Sequence, residues 1–192
     1  MRYAITLLVL ASSLPAHADP AHSGRLALGA SFGVGGMADR GGELDCTNCD
    51  QQPATLGFDL HIGMVVAPRL AVMLEVQANG QLIAADDTGT MTTATLVQSA
   101  VLGAAQLWLT PRLWLKGGLG FANLQLDFND ELGFVASEPI SNGVAALAGI
   151  GYEVMAMPGF ALDLQGRLLV GSYRGIDEQI SSATVGVGIN WY

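Results

Sequence analysis

Apolar residues alternate with small or polar ones along most of the chain. Leu70, Val72, Leu74, Val76 and Ala78 share one parity, and Ala71, Met73, Glu75, Gln77 and Asn79 the other. Leu56, Phe58, Leu60, Ile62 and Met64 stand against Asp59 and His61 in the same way. Phe160, Leu162, Leu164, Leu168 and Val170 oppose Asp163, Gln165 and Arg167. Leu26, Leu28, Ala30 and Phe32 oppose Arg25, Gly29, Ser31 and Gly33, and Val185, Val187, Ile189 and Trp191 oppose Gly186, Gly188 and Asn190. Leu113, Leu115, Leu119 and Phe121 oppose Lys116, Gly118 and Gly120. A period of two is the mark of a strand with one apolar face. Past Phe121 the apolar parity changes to Leu124, Leu126 and Phe128, which predicts a bulge near Asn123. Segments 94–109 and 142–155 are rich in Ala and would also suit buried helices. Each lies between a long polar segment and a tight turn, and that position predicts strands.

Three turns of one style punctuate these segments: Ala67-Pro68-Arg69, Thr110-Pro111-Arg112 and Met157-Pro158-Gly159. Their prolines are 43 and 47 residues apart, the length of two strands and a loop. Between them lie acidic segments at about 38–54, 83–93, 127–139 and 172–178. Short and long connections therefore alternate, as expected for eight antiparallel strands running up and down. The turns also fix register. Val66 opposite Leu70 sets His61 across from Glu75 and Asp59 across from Gln77. Leu109 opposite Leu113 sets Gln106 across from Lys116. Glu153 and Asp163 flank the third turn.

The ends and the composition choose the surroundings. Met1 and Arg2, an apolar stretch from Ile5 to Leu14 and the small-x-small site Ala16-His17-Ala18 read as a secretory signal peptide over 1–18. The mature domain is then 19–192, with seven basic residues against seventeen acidic ones, a net charge of −10. Phosphate recognition needs clustered Lys and Arg, so nucleic acid is not an expected partner. Apolar residues make up 51% of the chain and charged ones 13%. No uncharged apolar run of roughly 18 residues follows the leader, so a helical span does not account for this. A sheet closed in lipid does, with an apolar outside, a small and polar inside, and every backbone group paired between strands. The fold class read here is all-β, an eight-stranded antiparallel up-and-down transmembrane β-barrel. A soluble lipocalin-like carrier is the alternative, and it would put the large apolar residues inside around a ligand.

The chain resembles the small outer-membrane barrels, the group of the OmpA membrane domain and OmpX. The resemblance covers residues 24–192 and rests on the eight-strand pattern, the loop asymmetry and the last strand, Val185-Gly-Val-Gly-Ile-Asn-Trp191-Tyr192. Such last strands are similar to the signal read by the outer-membrane insertion machinery, although Tyr192 lies one residue past the apolar face that ends at Trp191. The resemblance implies a bacterial outer-membrane location, contact with outer-membrane lipid and lipopolysaccharide, a monomer, and no cofactor. Fold alone leaves the role open.

Three sets of residues could carry function. Arg25, Asp59, His61, Glu75, Gln106, Lys116, Glu153, Asp163 and Arg167 face inward by parity, and charges inside a narrow barrel must be paired. They make either a network that plugs the lumen or a narrow pore for small solutes. Cys46 and Cys49, separated by two residues in an acidic loop, suit a local disulfide in an oxidising compartment. With no His nearby they do not make a metal site. The four long loops hold twelve acidic residues and two basic ones, Arg40 and Arg174, an oxygen-rich surface that suits divalent cations. An enzyme is not expected: His61 faces inward mid-strand, His22 precedes the first strand, and neither approaches Ser172, Ser181 or Ser182 in this register. The reading is a non-enzymatic barrel with a structural or surface-interaction role.

Overall fold

The computed structural model describes residues 26–39, 42–47, 53–85, 93–129, 135–175 and 179–192. The leader, His22, Arg25, Arg40, Cys49 and part of each acidic segment lie outside the described residues. Among the described residues every regular element is a strand: β1 (Leu26–Asp39), β2 (Gly42–Glu43), β3 (Thr55–Ala67), β4 (Leu70–Ala85), β5 (Thr93–Trp108), β6 (Leu113–Asn129), β7 (Val135–Met157), β8 (Phe160–Tyr173) and β9 (Gln179–Trp191). The eight long strands pair antiparallel in chain order, and β9 pairs back onto β1 from Leu28↔Trp191 to Asp39↔Ile180. The ring is closed. Strand β2 is only two residues long and folds back on the end of β1.

Closure lets period-two alternation sort the side chains. Leu60, Ile62, Leu74, Val76, Leu164 and Val187 are exposed on the outside, while Asp59, His61, Glu75, Gln77, Asp163 and Arg167 are buried inside. A soluble carrier would have the opposite arrangement. The Ala-rich segments are the long strands β5 and β7, because an Ala-rich strand suits a narrow interior as well as an Ala-rich helix suits a core.

The short connections are tight because their chemistry demands it. Ala67 pairs with Leu70 around Pro68-Arg69, and Met157 with Phe160 around Pro158-Gly159. Gly159 has φ +76°, which only a residue without Cβ adopts easily after a proline. In the middle turn the Thr110 hydroxyl accepts the Leu113 N–H at 2.9 Å. The observed pairings include His61↔Glu75, Asp59↔Gln77, Gln106↔Lys116 and Glu153↔Asp163. The first turn closes one residue later than the spacing suggests, on Ala67, and Val66 bulges out to absorb the difference.

Two expectations are corrected. Strand β6 has no bulge near Asn123: it pairs with β5 without interruption from Asn129 to Trp114. The irregularity is on β7, where Leu124 faces Ser141 and Gln125 faces Pro139, leaving Ile140 extra. The parity change arises because the interior itself turns apolar at the long-loop end. Leu124 is buried there with Met37, Leu102, Leu147, Leu169 and Ile180. The acidic segments are also shorter than expected, because β6 and β7 stay paired as far as Asn129↔Val135. β8 joins β7 only from Tyr173↔Gly143, so the outer end of β7 projects past it.

Candidate functional site in the lumen

The central cluster of buried charges comes from four strands whose register is set by the turns. Parity places Asp59 and His61 of β3, Glu75 of β4, Lys116 of β6 and Arg167 of β8 on the inward face. Closure then brings them together. Arg167 joins the two carboxylates: one guanidinium nitrogen, Nη1, lies 2.6 Å from Asp59 Oδ1, and the other, Nη2, bonds Glu75 Oε1. Lys116 Nζ stands 3.1 Å from Glu75 Oε2. His61 Nδ1 is 3.2 Å from Asp59 Oδ2, and the Ser31 hydroxyl donates to Asp59 Oδ1. Lys116 also lies over the Trp114 ring, 5.4 Å from its centroid. Two carboxylates thus meet two basic side chains, all four of them buried, and such pairing is the condition under which buried charge is tolerated.

Below this layer, toward the tight turns, Trp108 donates through Nε1 to Glu153 at 2.9 Å, and Asn190 donates to Asp163 Oδ2 at 2.7 Å. Tyr192, one residue past the apolar face, turns inward and packs edge-on against Trp108, with centroids 5.4 Å apart. Above the charges runs a neutral chain. Asn79 donates to Ser182 Oγ at 2.7 Å, Ser182 donates to Gln98 Oε1 at 2.8 Å, and Gln98 donates to the Ile180 carbonyl at 3.0 Å.

The structure therefore joins Asp59, His61, Glu75, Lys116 and Arg167 in one cluster. Gln106 sits across from Lys116, and Glu153 and Asp163 face each other nearer the turn end. Arg25 lies outside the described residues. Asn79, Gln98 and Ser182 belong to the lumen network without being singled out by the sequence pattern. Asn79 shares the Glu75 parity, but a neutral amide does not announce a cross-lumen bond in the sequence.

Donor atoms of Asp59, His61 and Glu75 lie within 4.8 Å of one another, a spacing that could hold a metal ion. Arg167 and Lys116 already neutralise both carboxylates, so the donor set does not fit one. The same cluster does not fit a catalytic triad. Ser31 donates to Asp59 and not to His61, so the acid stands where the base should be. Ser182 is committed to Asn79 and Gln98. Cys46 is disulfide-bonded, and Cys49, the other cysteine of the chain, lies outside the described residues.

Closed ring, lipid-facing apolar surface and packed polar interior together define the chain as an eight-stranded transmembrane β-barrel. It is similar to solved structures of small outer-membrane proteins. One is Ail, the attachment invasion locus protein of Yersinia pestis, in complex with the heparin analogue sucrose octasulfate. That match has 14% identity, covers 88% of this chain and 99% of that one, and has a TM-score of 0.59. A second structure of Ail gives a TM-score of 0.54 at the same identity and coverage. Neisserial surface protein A (NspA) gives 0.56 at 12% identity, covering 86% of this chain and 96% of that one. Identities this low establish the fold alone. No family model and no curated protein sequence matches the chain.

Proposed function

We propose that the chain is a non-enzymatic outer-membrane barrel with a sealed lumen, acting through the surface that its long-loop end presents outside the cell. The observation that carries this is the division of side chains, with a continuous apolar exterior around an interior in which Arg167 and Lys116 pair with Asp59 and Glu75. In this reading 1–18 is a leader removed on export, Tyr192 ends the strand read by the insertion machinery, and the mature barrel is a monomer in lipid beneath lipopolysaccharide. Fractionation of cells and gel mobility with and without boiling test it. The mature protein is expected in the outer-membrane fraction, starting at Asp19 by mass spectrometry, with a folded band that shifts on heating. Mature protein that stays soluble without detergent would overturn the membrane assignment.

The surface favours cationic partners. Sucrose octasulfate, bound by Ail, is a polyanion, whereas the long segments here carry twelve acidic residues and two basic ones. Divalent cations bridging these acids to lipopolysaccharide suit that charge. Adding Ca²⁺ is expected to raise the melting temperature, and an unchanged value counts against the bridge.

A narrow pore is the second reading, supported by the polar lumen. Free space beside Arg167, lined by Ser31, Gln77, Gln165 and Thr184, does not admit a water-sized sphere. Pure protein in a planar bilayer is expected to show no discrete openings, and openings that depend on the cation present would reverse the order of the two readings. For Cys46 and Cys49 we propose the loop disulfide. Thiol labelling without reductant is expected to find none free, and two labelled thiols would refute it.

A further inference from the structure

The outer face of the barrel is not equally thick all the way round. On β3 the outward positions carry Leu56, Phe58, Leu60, Ile62 and Met64, all exposed. On β4 to β6 two outward rows run Val72↔Ala105↔Gly117 and Leu74↔Gly103↔Leu119. Gly103, Ala105 and Gly117 floor an apolar depression of about 490 Å³ there, between Val72 and Leu119. Packing within the barrel does not require these glycines. A Cβ at Gly103 would meet only the Leu119 carbonyl oxygen, and one at Gly117 only the Leu147 carbonyl oxygen, each at 3.9 Å. A Cβ on the inward Gly120, by contrast, would collide with the Val101 carbonyl. Glycine inside a strand leaves nothing to pack, and often marks a place where another molecule comes close.

Two arginines flank the turn end of the same strands. Arg69 stands just before β4 and Arg112 just before β6, with β5 between them. Two strand spacings separate them, about 10 Å. Val72 is three residues from Arg69 and Gly117 five from Arg112, about 10 and 17 Å of strand. Both main chains are pinned: Trp108 N–H donates to Arg69 O at 2.9 Å and Glu153 N–H to Arg112 O at 2.8 Å. Neither guanidinium has a hydrogen bond or ion pair among the described residues. The described acids at this end, Glu153 and Asp163, are buried inside the lumen. The outside of the turn end therefore sets positive charge below an apolar hollow. Arginine stems lie along apolar surface while their heads reach the polar layer.

We propose that the outer face of β4–β6 binds one anionic phospholipid of the leaflet next to the periplasm. Its phosphate lies between Arg69 and Arg112, and one acyl chain fills the hollow floored by Gly103, Ala105 and Gly117. This rests on the reading of the chain as an outer-membrane barrel whose tight turns face the periplasm. A zwitterionic lipid fits the hollow equally well, but it brings no net negative charge to the two arginines. Charge therefore selects among lipids, and the hollow fixes where the selected one sits.

Native mass spectrometry of the folded barrel tests this, with phosphatidylglycerol and phosphatidylcholine of identical chains added to the detergent. The unaltered barrel is expected to retain one phosphatidylglycerol at least about tenfold better than phosphatidylcholine, since each arginine near an anionic lipid surface contributes about fivefold. Arg69→Gln with Arg112→Gln is expected to bring the two lipids to equal retention. Gly103→Leu with Gly117→Leu fills the hollow and is expected to abolish retention of phosphatidylglycerol. Ala183→Leu on the opposite wall, in a second depression beside Val34 and Leu168, is expected to change nothing. Equal retention of the two lipids by the unaltered barrel would overturn the site. So would a preference that survives loss of both arginines, or an equal loss in Ala183→Leu. If the leucine pair gives no heat-modifiable band, the arginine pair and Ala183→Leu decide by the same criteria. An unaltered protein without such a band would remove the membrane reading and the site with it, whereas a folded barrel without lipid preference removes the site alone.

Discussion

Arg167→Met is expected to destabilise the folded barrel by about 3–5 kcal/mol, the range for removing one partner of a buried ion pair. The main cause is the uncompensated charge that stays buried, not the missing side-chain packing. Arg167 holds Asp59 and Glu75 together, and without it Lys116 is the one Lys or Arg paired with these two buried carboxylates among the described residues. Methionine fills much of the same volume, so packing loss is kept small. The arithmetic of charge gives a sharper companion. Asp59→Asn added to Arg167→Met leaves one carboxylate, Glu75, against one cation, Lys116. The double variant is expected to recover a large part of the loss, whereas Arg167→Met with Lys116→Met is expected to be worse than either alone. Urea titration in lipid, read by the gel mobility of folded and unfolded bands, measures all three. A cost for Arg167→Met below about 1 kcal/mol, the range of a solvated pair, would mean that the lumen is wet around Arg167.

That cluster is legible in the sequence because two simple rules compound. Alternation puts Asp59, Glu75 and Arg167 on one face, and the Pro-containing turns fix which residues sit opposite. His61 beside Glu75 and Gln106 beside Lys116 then follow by counting. Bonds between strands that are not neighbours cannot be counted in this way. Arg167 reaches Asp59 and Glu75 across the lumen, and Asn79 reaches Ser182, only because the ring closes. The apolar end of the lumen is misleading for a related reason. Leu124, Leu126 and Phe128 look like an outer face if the interior is assumed to be polar throughout, and a bulge is then needed to keep them outside. Local chemistry explains the rest. Residues 42–47 carry no periodicity, so the short strand β2 is invisible in the sequence.

Leu60→Arg is expected to cost about 2–4 kcal/mol in a lipid bilayer, the cost of an Arg on the lipid face near the midplane. Leu60 lies in the middle of β3 and faces outward, flanked across the ladders by Ala30 and Val76. Nothing inside the barrel changes, so the lumen network remains as it was and the loss reports the surroundings of the outer face alone. Met157→Arg is the control. Met157 is as exposed as Leu60, 47% against 49%, but it borders the third turn, where the same substitution is expected to cost no more than about 1 kcal/mol. The ratio between the two sites matters more than either value. In a barrel surrounded by water both arginines would be solvated and the two costs equally small. A steep dependence on height along the strand can come only from a hydrocarbon layer. Equal costs at Leu60 and Met157 would remove the membrane from the account, and with it the reason for so much leucine, valine and phenylalanine on the outside of a closed sheet.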